Sequence, residues 1–315
     1  FMLDEWVPGD HVTLVKNPDY TWGFSWYENK GPANIDTIIY RIIPDQATRF
    51  ALFEGGAAHV LLQLPPTKIE EYSDRPGVSV LTGPGQGVYH IVFNCLKDPW
   101  TNSALRRAVG YSIDRAEVLN TVWHGVGQEG VNYLPPILPE STAVPSTYNY
   151  SFDLDIAVNL FTEAGYEDSD SDGWLEGLEG ELSLELWTVN TAEDIIMGEL
   201  VQSQLEDAGI HVALTPYAES ALMTLVASGE HEAVISNYAW PRAEVLDWLL
   251  GSWAMGGSNI AWFSDPMFDN YVTNWTYAEN WDEYLENTTA GHIRLLTQGP
   301  WAPILYWSQI TAIDE

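Results

Sequence analysis

An acidic segment that runs from Asp168 to Glu179 carries the most specific chemical pattern in this sequence. Carboxylates occupy its first, third, fifth, ninth and twelfth positions, and glycine occupies the sixth. Hard oxygen ligands at this spacing are typical of an EF-hand loop around a calcium ion. The residues that the pattern predicts as calcium ligands are Asp168, Asp170, Asp172, Glu176 and Glu179.

The alternative interpretation of this segment is a turn that simply joins a helix to a strand. The residues after Glu179 have the alternating pattern of a strand and do not resemble the second helix of an EF hand. We therefore expect any calcium ion to be structural, with no cofactor required for function.

Patterns that support covalent catalysis do not occur in the sequence. The seven histidines show no HExxH spacing, and there is no G-x-S-x-G nucleophile elbow. Cys95 is the only cysteine, so an internal disulfide and a CxxC zinc site are both excluded. The glycine-rich stretch 83–87 has no Lys-Ser/Thr pair and is interpreted as a loop before a strand. We expect a protein that is not an enzyme; a hydrolase would need a catalytic pair that the sequence does not single out.

The charge balance restricts the partners of the chain. Forty-five acidic residues and twelve lysines and arginines give a formal net charge of −33 over 315 residues. Such a field repels phosphate backbones and anionic membrane surfaces, which argues against binding to nucleic acid. Because counterions screen self-repulsion, the charge favours a salty, halophilic environment.

Phe1 precedes Met2, so we expect an excised segment in which a leader would not be represented.

Strands alternate with helices along the chain, which predicts an α/β architecture. Asp114 and Asp153 are placed to cap helices, and Asp269 is expected to cap another. The segment 134–145 is rich in proline and is expected to be extended. Other predicted helices are 45–54, 103–111, 192–208 and 219–227, and predicted strands include 88–93, 182–189, 211–217 and 233–238.

Five stretches, taken in order, resemble motifs of one protein family. They are residues 6–10 (WVPGD) with 16–20 (KNPDY), 42–55, 93–94 (FN), 105–115 (LRRAVGYSIDR) and 157–166, which ends in EAGY. The family is that of the large extracytoplasmic solute-binding proteins of peptide, nickel and oligosaccharide ABC importers, known as family 5. Its members have a periplasmic-binding-protein-like fold of two α/β lobes, which closes like a Venus flytrap. The resemblance implies that residues 1–92 are part of an incomplete lobe I, 93–305 are lobe II, and 306–315 return toward lobe I.

The resemblance implies passive capture of a solute that is then delivered to an ABC permease. Peptides are the first expectation, and oligosaccharides are the alternative; a sensory receptor with the same fold is a further possibility. The expected protein is a monomer outside the cytoplasm, periplasmic or at the cell surface, with a lipid anchor as one option.

The segment 236–242 matches the place where peptide-binding relatives carry an acid that pairs with a peptide's amino terminus. Here Trp240 or a neighbour replaces that acid, and Arg242 follows. An indole could stack on a sugar ring or an apolar side chain, and a guanidinium could pair with a carboxylate. The alternative is that Trp240 only packs the lobe. The remaining candidate ligand contacts are Asn94, Asn237, Tyr238, Asn259, Tyr306 and Trp307.

Overall fold

The computed structural model describes residues 1–314, except for the side chains of residues 84 and 86. It contains two compact units. The first comprises Phe1–Leu64, Glu70–Leu81 and the chain from Thr311 onward, and the second comprises Pro65–Ile69 and Thr82–Ile310. The unit boundary at 81/82 and the predicted lobe boundary at 92/93 lie in one strand, Val78–Phe93. The unit boundary at 310/311 and the predicted lobe boundary at 305/306 lie in another strand, Trp301–Asp314.

The first unit contains a three-stranded antiparallel sheet in the order β1-β2-β3. Its elements are β1 (Met2–Val7), β2 (His11–Val15), β3 (Thr37–Arg41), α1 (Gln46–Glu54), β4 (Val60–Leu62) and α2 (Ile69–Ser73). The carboxylate of Asp45 accepts a hydrogen bond from the Thr48 backbone N–H, which caps α1, and Gly55 ends the helix. The predicted helix 45–54 is therefore confirmed.

The remaining strands form the large sheet of the second unit and one small hairpin. They are β5 (Val78–Phe93), β6 (Gly127–Glu129), β7 (Glu176–Gly177), β8 (Gly180–Glu181), β9 (Ser183–Val189), β10 (His211–Tyr217), β11 (Ala233–Ala239) and β12 (Trp301–Asp314). The strand order is β10-β9-β11-β5-β12, and β6 also pairs with β12, while β7 and β8 form a separate hairpin. In the first unit, β4 pairs with residues 311–313 at the end of β12. Strands β9, β10 and β11 are parallel, and β5 is antiparallel to β11. The α/β prediction is confirmed.

The second unit contains further helices, some of which pack against its sheet and others against one another. They are α3 (Ser103–Tyr111), α4 (Arg115–Val122), α5 (Pro139–Thr142), α6 (Leu154–Glu163), α7 (Ala192–Asp207), α8 (Glu219–Ala227), α9 (Val245–Leu250), α10 (Pro266–Thr276) and α11 (Trp281–Gln298). Asp114 and Asp153 cap α4 and α6 as predicted. Asp269 does not cap α10; Asp265, directly before Pro266, accepts the Phe268 N–H instead. The segment 134–145 is not wholly extended, because it contains α5.

Two arginines of the 105–115 motif hold the second unit together through backbone carbonyls. Arg115 is fully buried and donates to the carbonyls of Gly110, Ile113, Gly130 and Pro303 at 2.7–2.9 Å. Arg106 is also buried and donates to four carbonyls, including those of Gln298 and Gly299. Burial lowers the pKa of Arg115 to about 10, so it stays charged at neutral pH. Within the described residues no carboxylate forms an ion pair with either arginine.

Candidate ligand-binding site

The carboxyl ends of the parallel strands define the edge of the second unit's sheet where a ligand is expected. Strands β9, β10 and β11 end at Val189, Tyr217 and Ala239. Helices α7 and α8 begin just beyond the first two of these ends, with Thr191 and Ala218 at their N-cap positions. In open α/β sheets, ligands bind in the crevice outside the carboxyl ends of the strands. We refer to this part of the second unit as the carboxyl edge.

Two of the predicted contacts lie on β11 as it reaches the carboxyl edge. The first three residues of β11 are buried, whereas Asn237 is exposed. Tyr238 is partly buried, and its hydroxyl donates to the backbone carbonyl of Tyr133. Its ring centroid lies 5.6 Å from that of His90, and burial raises the pKa of Tyr238 well above its usual value. Tyr238 therefore anchors the strand end, and Asn237 presents its amide to solvent.

Trp240 and Arg242 follow directly after β11. The Trp240 side chain is 53% exposed, so it does not pack inside this unit. The Arg242 guanidinium contacts both oxygens of Glu244, at 2.9 and 3.1 Å, and lies 6.0 Å from the Tyr284 ring centroid. The Tyr284 hydroxyl and the Glu244 carboxylate raise the pKa of Arg242. Trp240 is free to stack on a ligand, but a ligand carboxylate must compete with Glu244 for Arg242.

Tyr306 and Trp307 lie on β12 and line a cleft of about 280 Å³. The lining residues are Gly85, Gln128, Pro136, Ile137, Tyr306, Trp307 and Ser308. The Tyr306 hydroxyl donates to the Asn132 carbonyl at 3.1 Å and accepts from the Asn132 N–H at 2.9 Å, which fixes its ring. The cleft therefore has one fixed phenol and one indole in its wall.

The Trp307 indole lies directly over the backbone of β5. A Cβ at Gly87 would lie 1.8 Å from Trp307 Nε1, so only glycine fits there. Gly87 pairs in register with Ala239, the neighbour of Trp240. The structure thus brings the end of β11 close to the cleft. The prediction of a loop over 83–87 is wrong: the stretch is part of β5, and Gly85 and Gly87 lie against Trp307.

The other two predicted contacts have amides that are already hydrogen-bonded within the second unit. Asn94 directly follows β5, at the end of β5 that pairs with the start of β11, and so lies away from the carboxyl edge. Its Nδ2 donates to the backbone carbonyls of Gly229 and His231. Asn259 is fully buried, and its Nδ2 donates to the carbonyls of Gly251 and Phe263. In this structure both side chains stabilise turns of the chain.

Four of the five predicted calcium ligands lie together in an acidic loop. One carboxylate oxygen from each of four residues lies within 4.8 Å of the others, and these residues are Asp168, Asp170, Asp172 and Glu176. The positive φ of Gly173 (99°) allows the loop to turn. The Asp170 carboxylate accepts a hydrogen bond from the Asp172 backbone N–H, which lowers its pKa. Desolvation and the neighbouring carboxylates raise the pKa of Asp170 by more, so the net shift is upward. Glu179 is exposed in the turn between β7 and β8 and does not belong to this group.

Residues 1–276 match the family described as bacterial extracellular solute-binding proteins, family 5 middle, and the chain belongs to this family. Among curated relatives it is 25% identical over 304 residues to the heme-binding protein A of Haemophilus influenzae, covering 95% of this chain and 54% of that protein. It is 22% identical over 314 residues to the di/tripeptide-binding protein 3 of Pseudomonas aeruginosa, covering 97% and 55%. The chain therefore spans about half the length of these relatives.

Solved structures show the same fold. The oligopeptide-binding protein AppA of Bacillus subtilis, in complex with a nonapeptide, matches with a TM-score of 0.76 at 20% identity, covering 99% of this chain and 61% of that one. NikA of Brucella suis, in complex with Fe(III)-EDTA, matches with a TM-score of 0.81 at 19% identity, covering 99% and 62%. The prediction of a periplasmic-binding-protein-like fold, present here as a partial chain, is confirmed.

Of the described helices, none combines the length and the apolar character needed to cross a bilayer.

Proposed function

We propose that the protein captures peptides or similar oligomeric solutes outside the cytoplasm, as a monomer, and delivers them to an ABC permease. The observation that carries this proposal is the exposed indole of Trp240 at the carboxyl edge of a family 5 solute-binding fold. Binding and release need no nucleophile or general base, because enclosure and a few polar contacts supply the affinity. The relatives whose names mention peptides support peptides as the first ligand class.

The second ligand class is oligosaccharide, favoured by the aromatic character of the site. Trp240 is exposed, and Trp307, which contacts the strand paired with the end of β11, lines the cleft. Indole faces suit the apolar side of a sugar ring as well as an apolar side chain. Since Glu244 already pairs with Arg242, a neutral sugar needs no displacement of this ion pair.

A panel of peptides and oligosaccharides, screened by thermal shift on the complete protein, tests the proposal. A ligand that binds only the folded state raises the free energy of unfolding by RT ln(1 + L/Kd), where L is the free ligand concentration, and the melting temperature rises with it. Trp240→Ala should raise the Kd of the responding ligand by about two- to tenfold, because it removes one aromatic contact. Trp248→Ala is the matched control, because Trp248 is 59% exposed but lies in α9. A Trp240→Ala variant that binds as tightly as the wild type would remove this residue from the site.

We further propose that the acidic loop holds a structural calcium ion. The grouping of four carboxylates supports this assignment, and Glu179 is left out of the ligand set. A chelator should lower the melting temperature, and calcium chloride, but not sodium chloride at equal ionic strength, should restore it. Asp170→Asn should abolish the calcium response, whereas Glu179→Gln should keep it. A melting temperature that ignores both chelator and calcium would reject the ion.

A further inference from the structure

A second cavity lies in the second unit and shares no lining residue with the cleft beside Trp307. Its volume is about 370 Å³, and α9, the 3₁₀ turn Ser252–Ala254 and α10 contribute to its wall. The lining residues are Asp247, Trp253, Asp269, Val272, Thr273, Thr276 and Tyr277. We call it the α9–α10 pocket.

Two carboxylates of this pocket are held in place by hydrogen bonds from fixed donors. Asp247 Oδ1 accepts from the Trp253 indole N–H at 2.7 Å, and Asp269 Oδ1 accepts from the Ser252 backbone N–H at 3.1 Å. Each carboxylate uses one oxygen in this way, and within the described residues its second oxygen has no hydrogen-bond partner. Both acids are therefore oriented in advance, with capacity left for a ligand.

The charge of the α9–α10 pocket is uncompensated. Lys and Arg are missing from its lining, so an anion would meet two carboxylates without a counter-charge. Burial raises the pKa of Asp247 despite the lowering effect of the Trp253 N–H, and the charge of Asp269 adds to the rise. A bound cation would relieve this unfavourable burial of negative charge. The net charge of −33 also concentrates cations near the surface.

Aromatic rings form the other part of the lining and indicate the kind of cation. Trp253 is 63% exposed and Tyr277 is 78% exposed, so both can offer ring faces to a ligand. Indole is the best of the side-chain partners for an organic cation. A calcium ion takes about six to eight oxygen ligands and gains nothing from an indole, whereas only two carboxylates line this pocket. The lining therefore suits an organic cation better than a metal ion.

We propose that the α9–α10 pocket binds an organic cation, an ammonium or guanidinium group, between Asp247 and Asp269 with the Trp253 ring against it. The volume of about 370 Å³ accommodates such a group together with an alkyl stem. Two sources present this chemistry: a free amine or guanidine in solution, and a Lys or Arg side chain of a partner protein. The site is independent of the proposed solute capture at the carboxyl edge.

Fluorine NMR of the complete protein labelled with 5-fluorotryptophan tests this site directly. Trp253→Phe removes one resonance and so assigns it. Methylguanidinium chloride should shift this resonance saturably, whereas sodium chloride and calcium chloride at equal ionic strength should not. The isosteric variants Asp247→Asn and Asp269→Asn keep the oxygen that accepts from Trp253 or Ser252, and each should weaken binding at least about tenfold, the loss of one charge-assisted contact.

The matched control is Asp155→Asn, which removes an exposed charge from α6 and should leave the titration unchanged. Circular dichroism and melting temperature establish that each variant is folded. An equal response to sodium or calcium, or a titration that neither Asn variant weakens, overturns the proposal. Tighter binding of N-acetylarginine methylamide than of methylguanidinium identifies a partner's side chain as the source, and the reverse order identifies a free cation.

Discussion

Acidification should destabilise the protein through His292, a histidine that the fold keeps neutral. His292 lies on α11 and is fully buried. Its Nε2 accepts the Tyr133 N–H at 3.2 Å, and within the described residues its Nδ1 has no partner. Burial lowers the pKa of His292 from 6.5 to about 3.

The sign of the effect follows from proton binding in the two states. Between pH 6.5 and about 3 the unfolded chain binds a proton at this histidine and the folded chain does not. The stability that this site contributes is therefore complete above pH 6.5 and declines as the pH falls. A pH of about 5 lies roughly 1.5 units below the ordinary pKa of histidine. At this pH the free energy of unfolding is therefore lower by about 2 kcal/mol through this site.

The variant His292→Gln isolates this contribution, because Gln keeps an acceptor for the Tyr133 N–H but does not titrate. Urea unfolding followed by circular dichroism gives the free energy of unfolding at about pH 7.5 and about pH 5. We expect the loss between these two pH values to be about 2 kcal/mol smaller in the variant than in the wild type. The carboxylates titrate equally in both proteins, so their contribution cancels.

The control is His124→Asn, which replaces an exposed histidine at a positive φ of 50°, a conformation that Asn tolerates. It should retain the wild-type pH dependence. If His292→Gln and the wild type lose the same free energy on acidification, the buried, neutral state of His292 is refuted.

Three further predictions concern the architecture and the site. Arg115→Met should cost at least about 3 kcal/mol of unfolding free energy in urea titrations, because four buried carbonyls lose a charged donor; a loss below about 1 kcal/mol would contradict this role. Gly87→Ala should displace the indole that covers it and cost about 1–3 kcal/mol, whereas Gly83→Ala, with nothing within 4 Å of its Cβ, should be near neutral in the same assay. Glu244→Gln should release Arg242 and tighten a ligand that carries a free carboxylate by about two- to fivefold relative to its amide, measured by calorimetry. Equal affinities for acid and amide in both proteins would argue against Arg242 as a ligand contact.

Local signals in the sequence predicted the helices well because caps act within one turn. Asp114 and Asp153 each accept the backbone N–H three residues later, as predicted. Asp45, predicted as the first residue of the helix 45–54, is instead its N-cap. Asp269 failed as a cap because Asp265 precedes Pro266, which is favoured at the first turn of a helix. The choice between the two acids depended on this local feature.

Features that depend on distant residues could not be predicted in the same way. The stretch 83–87 belongs to a strand, and two of its glycines, Gly85 and Gly87, lie against Trp307, which is far along the chain. The burial of Asn94 and Asn259 follows from tertiary packing, which no short motif shows. The acidic spacing placed four carboxylates together, but the hairpin that begins at Glu176 carries Glu179 away from them. The α9–α10 pocket is assembled from three elements and has no signal in any one of them.

The central claim is that the protein binds a solute and leaves it chemically unchanged. Isothermal titration calorimetry of the complete protein with the ligand identified in the panel, followed by mass spectrometry of the recovered ligand, tests this claim directly. We predict saturable binding and a recovered ligand of unaltered mass, with weaker binding after Trp240→Ala. Cleavage of the ligand, or no heat from any peptide or oligosaccharide, would contradict the account.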